Sequence, residues 1–74
     1  MKLDIKLFAS LQKYMPDMER LELNGSSKVL DLLKRIGISS SEVSIALVNG
    51  QQVKLDHTLD EGDTVAIFPP IAGG

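Results

Sequence analysis

The residues best placed to do chemistry are the last six, Pro69-Pro70-Ile71-Ala72-Gly73-Gly74. Two glycines carry no side chains, so a carboxylate behind them can enter a slot too narrow for any other residue. The prolines ahead favour a stiff, extended approach. Over these six residues the tail can reach roughly 20 Å. Such a stem suits a Gly74 carboxylate that is itself the reactive group and works inside another protein's active site. The plain alternative is a frayed chain end, where glycine is common.

Nothing else in the chain offers comparable chemistry. There is no cysteine. Disulfides, cysteine–zinc sites and a cysteine nucleophile are therefore excluded together. The single histidine, His57, lies in Leu55-Asp56-His57-Thr58-Leu59 and reads as a solvated turn residue. One histidine near one aspartate gives too few ligands for a metal. Carboxylates cluster only where a turn is expected, at Asp60-Glu61-Gly62-Asp63. Acid–base work there needs a cleft that so short a chain can hardly build.

The tail needs an ordered element to project from. Thr64 to Phe68 supplies one, a strand feeding straight into Pro69. At the other end, Lys2-Leu3-Asp4-Ile5-Lys6-Leu7 alternates strictly, which predicts a half-buried strand with Leu3, Ile5 and Leu7 inward. Ser10 to Met15 predicts a short helical turn, broken at Pro16-Asp17. Arg20 to Leu23 predicts a second strand with Leu21 and Leu23 inward. Asn24 to Ser27 reads as a loop ending in candidate helix N-caps. Val29, Leu32, Leu33 and Ile36 then form one apolar helical stripe, read as core packing, with Gly37 as its left-handed stop. Ser39-x-x-Glu42 has the form of a capping box. Ser44 to Val48 predicts a third strand, buried in part on both faces. Asn49-Gly50 predicts a tight hairpin into a short strand around Val53.

The 74 residues make one small domain, 1–74, with 69–74 as its extended tail. The net charge of −2 is interspersed, with no basic stripe to suggest nucleic acid. No apolar run approaches the roughly 18 residues of a membrane span, and no signal-peptide pattern opens the chain. The expected location is cytoplasmic. The element order gives an α+β fold in which one helix covers one face of a mixed sheet and leaves the other partly open. That is the plan of a β-grasp, or ubiquitin-like, domain.

Val48-Asn49-Gly50, Leu59-Asp60-Glu61-Gly62-Asp63, and Thr64 through Pro69-Pro70-Ile71-Ala72-Gly73-Gly74 together resemble the MoaD family, the small subunits of molybdopterin synthase. Leu7-Phe8-Ala9-Ser10-Leu11 resembles that family's first strand and following turn, so the likeness spans essentially the whole chain. Terminal Gly-Gly is shared with other ubiquitin-like proteins; the preceding Pro-Pro is what separates MoaD from ThiS-type carriers. The resemblance implies a sulfur carrier. An activating enzyme (MoeB-like, of the type that activates ubiquitin) adenylates Gly74 with ATP. Sulfur then replaces AMP to give a thiocarboxylate. A MoaE-like large subunit holds the tail while the sulfur attacks a precursor pterin. The chain itself would bind no cofactor, and ATP belongs to the activating enzyme. Alternatives that use the same adenylation are a ThiS-like carrier for thiamine synthesis and a ubiquitin-like modifier joined to lysines through Gly74. A plain binding module with an inert tail is a further alternative.

Strand phase adds a partner surface. With Leu3, Ile5 and Leu7 facing the helix, Phe8 points to the open face. Val65 and Ile67 inward leave Ala66 and Phe68 outward. In a β-grasp sheet the first and last strands are neighbours, so Phe8 and Phe68 are expected to form an aromatic patch where the tail departs. The alternative has Phe8 tucked beneath the following loop. Phe8, Phe68, Pro69, Pro70, Ile71, Ala72 and Gly73 are the expected partner-binding residues.

Overall fold

The structure, a computed structural model, describes residues 1–70. Among the described residues, seven strands and one α-helix follow in the order β1 (Lys2–Leu7), β2 (Glu19–Glu22), β3 (Ser27–Lys28), α1 (Val29–Ile36), β4 (Ile45–Val48), β5 (Gln51–Val53), β6 (Thr58–Leu59) and β7 (Thr64–Phe68). Short 3₁₀ turns at Ala9–Lys13 and Ser40–Glu42 stand after β1 and before β4. Five strands form one sheet in the order β2-β1-β7-β4-β5. β1 and β7 run parallel at its centre, with Ile5 opposite Val65 and Leu7 opposite Ile67. β4 runs antiparallel to β7. This is the β-grasp arrangement.

The alternation in β1 and β7 decides which face is covered. Leu3, Ile5, Leu7, Val65 and Ile67 are fully buried, in one cluster with Val29, Leu32 and Leu33 of α1. Ile36 packs at the edge of that cluster, half-buried. Gly37 ends the helix at φ 99°, and its N–H donates to the Leu33 carbonyl at 2.8 Å. That left-handed backbone suits glycine.

The helix starts later than its serines suggest. Lys28, not Ser26 or Ser27, is the N-cap. Ser27 is buried and pairs with Leu59 in a second, two-stranded sheet of β3 and β6. Its Oγ lies 3.3 Å from the Asn24 carbonyl, pointing back rather than forward. The free N–H groups of the first helical turn find other partners. Val29 N–H donates to the His57 carbonyl and Leu30 N–H to the Leu55 carbonyl, both at 3.0 Å. The Asp31 carboxylate accepts from Lys28 N–H at 2.8 Å. Backbone of the 54–59 segment thus does the work expected of a serine. The His57 side chain is exposed, as a turn residue.

At the end of the sheet away from the tail, Asn49 and Gly50 close the β4–β5 hairpin at φ 52° and 84°, with Val48 opposite Gln51. Asp63 ties this turn to β7. Its carboxylate accepts from Asn49 Nδ2 and from Asp60 N–H, each at 2.8 Å. Asn49 Oδ1 accepts in turn from Thr64 N–H at 2.9 Å. Asp63 is 8% exposed. Asp63→Ala strands these donors and is expected to cost about 1–2 kcal/mol in a denaturant melt, with the tail end unaffected. A melt at the wild-type midpoint would show that water replaces the carboxylate at no cost.

Candidate functional site

β1 ends at Leu7, but the parallel ladder continues one step: Phe8 N–H donates to the Ile67 carbonyl at 3.1 Å. Because Leu7 faces the helix, this extension sends the Phe8 side chain to the open face. Phe68, one residue after the buried Ile67, projects to the same side. The two rings stack with centroids 4.3 Å apart and planes 9° from parallel. Phe8 does not tuck under the following loop. Both rings remain half-buried, so part of each apolar surface still faces solvent. Lys6, two residues before Phe8 on the same face, holds its Nζ 5.8 Å from the Phe8 centroid. That is within cation–π range.

Three segments close a groove beside this pair. Ala9 takes a left-handed φ of 52° and swings the chain from β1 into the first 3₁₀ turn. Ser44 N–H donates to the Phe68 carbonyl at 2.8 Å, fixing the end of β7. Ile45 sits opposite Phe68 across the β4–β7 ladder and is 38% exposed, unusual for so large an aliphatic side chain. Ala9, Ser10, Ser44, Ile45, Phe68, Pro69 and Pro70 line a groove of about 570 Å³. A chain this short therefore does build a cleft.

The cleft is apolar and uncharged. None of its lining residues is titratable, and the described residues hold no cluster of three metal-ligating side chains. Besides Lys6, charge on the open face lies further along the sheet, where Arg20 Nε meets Asp4 Oδ1 at 3.0 Å. No helix among the described residues is long and apolar enough to cross a membrane.

The structure thus brings together four of the expected site residues, Phe8, Phe68, Pro69 and Pro70, at the root of the tail. Ile71, Ala72, Gly73 and Gly74 lie outside the described residues. Sequence reasoning missed Ile45 and the Ala9–Ser10 wall. The continuous run Ile45-Ala46-Leu47-Val48 hides its strand phase. The buried Ala46 and Val48 give the phase only once the β7 register is known. Ala9 carries no local signal for a left-handed backbone.

Comparison with known proteins agrees with this geometry. The family model described as the ThiS family matches residues 5–74. Over 30 residues, 40% of the chain, the sequence is 53% identical to the molybdopterin synthase sulfur carrier subunit of Escherichia coli (strain K12). That match spans only 37% of the relative's length. Among solved structures, SAMP1 of Haloferax volcanii is similar with a TM-score of 0.77 and 27% identity, over all of both chains. A protein from Pyrococcus furiosus, named as molybdopterin converting factor subunit 1, is similar with a TM-score of 0.77 and 28% identity. That likeness covers 96% of this chain and 99% of the other. With the family match covering nearly the whole chain and the β-grasp architecture shared by its neighbours, this protein belongs to the ThiS family and has a ubiquitin-like fold.

Proposed function

We propose that this protein is the sulfur-carrying small subunit of a molybdopterin synthase. The observation that carries the reading is the apolar groove with its stacked Phe8–Phe68 pair, set where the tail begins and free of titratable groups. Such a surface docks a partner that supplies the chemistry. The names of the Escherichia coli and Pyrococcus furiosus relatives favour molybdopterin over other sulfur acceptors.

In this reading the Gly74 carboxylate attacks the α-phosphate of ATP bound to a MoeB-like adenylyltransferase, and pyrophosphate leaves. Activation is required because a carboxylate is a poor electrophile and AMP a good leaving group. A sulfur nucleophile then displaces AMP and leaves a thiocarboxylate on Gly74. The MoaE-like large subunit holds Pro69, Pro70, Ile71, Ala72 and Gly73 in a channel, where its own groups supply acid, base and oxyanion contacts. The chain contributes reach, a narrow tip and a docking face. It needs no cysteine, because sulfur rides on the terminal carbonyl.

Reconstitution with the two partners tests the proposal. The carrier should support ATP–pyrophosphate exchange by the adenylyltransferase and, with the large subunit and a sulfur source, yield molybdopterin from the precursor pterin. Exchange without molybdopterin would reject the proposed acceptor while keeping adenylation of Gly74, which the alternative readings share. A second reading, protein modification through Gly74, is favoured by the full-length similarity to SAMP1, whose kind is named a small archaeal modifier protein. It predicts branched Gly-Gly remnants on lysines in digests of cell extract. A ThiS-like role in thiamine synthesis would instead deliver the same sulfur to a thiazole precursor.

A further inference from the structure

The groove has two walls that are distant in sequence. One begins the first 3₁₀ turn, with Ala9 and Ser10; the other begins β4, with Ser44 and Ile45. Tyr14 caps the end of the first turn, and Glu42 ends the second turn, two residues before Ser44. The Tyr14 hydroxyl sits between the two Glu42 carboxylate oxygens, 2.8 Å from Oε2 and 3.0 Å from Oε1. Among the described residues this is the only hydrogen bond joining the 9–14 segment to the 39–45 segment. Each segment otherwise bonds within itself, to Phe8 or to β7. Leu11 N–H donates to the Phe8 carbonyl and Tyr14 N–H to the Leu11 carbonyl, while Ser44 N–H donates to Phe68.

We propose that Tyr14 is a positioning residue for docking of the adenylyltransferase: its hydroxyl, clamped on Glu42, fixes the spacing of the groove walls. The inference rests on the docking role proposed for the groove.

Three features support it. Glu42 is itself fixed, because Oε2 also accepts from Ser39 N–H at 3.3 Å in the capping box of the second turn. The carboxylate is therefore anchored to its own segment before Tyr14 reaches it. Both side chains are half-buried, so the bond is sheltered without being inaccessible. The carboxylate also holds the Tyr14 hydroxyl above its ordinary pKa, first through the hydrogen bond itself, then through burial and charge. The hydroxyl is thus a donor throughout the physiological range. Meanwhile the left-handed Ala9 is a conformation that a non-glycine residue resists, so its wall has reason to relax if released. A groove held at one width presents its apolar surface ready-made. A groove free to close or splay must be ordered at each docking event, which weakens association without touching chemistry.

The test uses Tyr14→Phe, which removes only the hydroxyl, and Glu42→Gln, whose amide oxygen still accepts. In the free protein, amide hydrogen exchange should quicken at Ser44 and Leu11, whose N–H groups bond to the Phe68 and Phe8 carbonyls, in Tyr14→Phe, with Ile5 and Val65 in the core unchanged. With the adenylyltransferase, ATP–pyrophosphate exchange should show KM for this carrier raised about three- to tenfold and kcat unaltered. Glu42→Gln, with the Tyr14 hydroxyl still present to donate, should keep values near wild type in both measurements. The inference is overturned if Tyr14→Phe leaves KM unchanged while wild-type protein is a good substrate. It is overturned equally if exchange accelerates uniformly through the core, which marks a merely stabilising role. If wild-type protein is not adenylated at all, the proposed function fails first and the docking role falls with it.

Discussion

Deleting Gly74 is expected to abolish thiocarboxylate formation and molybdopterin synthesis while leaving the melting transition where it was. Among the described residues the buried core runs from Leu3 to Ile67. The deletion draws the terminal carboxylate back by one residue, up to about 3.6 Å. Adenylation requires the carboxylate oxygen within reach of the α-phosphate, and misplacement by about 1 Å can already cost a hundredfold. No conformational change of the partner is expected to recover a gap of several ångströms in a narrow channel. The measurements are ATP–pyrophosphate exchange and product formation in the reconstituted system, alongside a thermal melt. Wild-type turnover by the truncated chain would remove Gly74 from the chemistry. A lowered melting temperature would mean that the tail packs on the domain.

The second large effect is a crossed pair of substitutions. Phe68→Ala should weaken binding to the large subunit by about 2 kcal/mol or more, roughly thirtyfold in affinity. It removes one ring of the stacked pair and one wall of the groove together. The cost to the isolated domain should be below the roughly 3–5 kcal/mol of a core Phe→Ala change, because Phe68 is only half-buried. Leu33→Ala should do the reverse. Leu33 is 1% exposed on the covered face, so its truncation should cost about 2–5 kcal/mol of stability. Affinity per folded molecule should scarcely change. Titration calorimetry and denaturant melts on both variants separate the two outcomes. If Phe68→Ala unfolds the domain as readily as Leu33→Ala and leaves affinity intact, the ring belongs to the core and the open face is not the docking face.

The site was legible where the chain is periodic. Strict alternation in β1 and β7 assigned Leu3, Ile5, Leu7, Val65 and Ile67 to one face, and the same alternation placed Phe68 on the other. The Phe8–Phe68 stack then required only that the two strands be neighbours. The Asn49-Gly50 turn and the Ser39–Glu42 capping box were readable because their partners lie within four residues. Where partners are distant, local signals mislead or are silent. Ser26 and Ser27 resemble N-caps, but the N–H groups they would have capped are taken by carbonyls of His57 and Leu55. The β3–β6 pair is two residues long on each side, too short to show a period. The Tyr14–Glu42 clamp spans 28 positions and joins two turns that nothing in the composition connects.

These features assign the domain a division of labour. One sheet face is spent on stability, with α1 covering it. The other keeps an apolar groove open beside the tail, and the described residues offer no catalytic group there. In the proposed function, what reacts is carried past Pro70 on the terminal carboxylate. The most direct test is an intact-mass measurement of the protein purified from its own cells under conditions that preserve thioacids. The account predicts a species ending at Gly74 and heavier by the exchange of one oxygen for one sulfur, which reverts on mild alkylation and hydrolysis. Protein bearing only an ordinary Gly74 carboxylate, in cells actively making the cofactor, would contradict it.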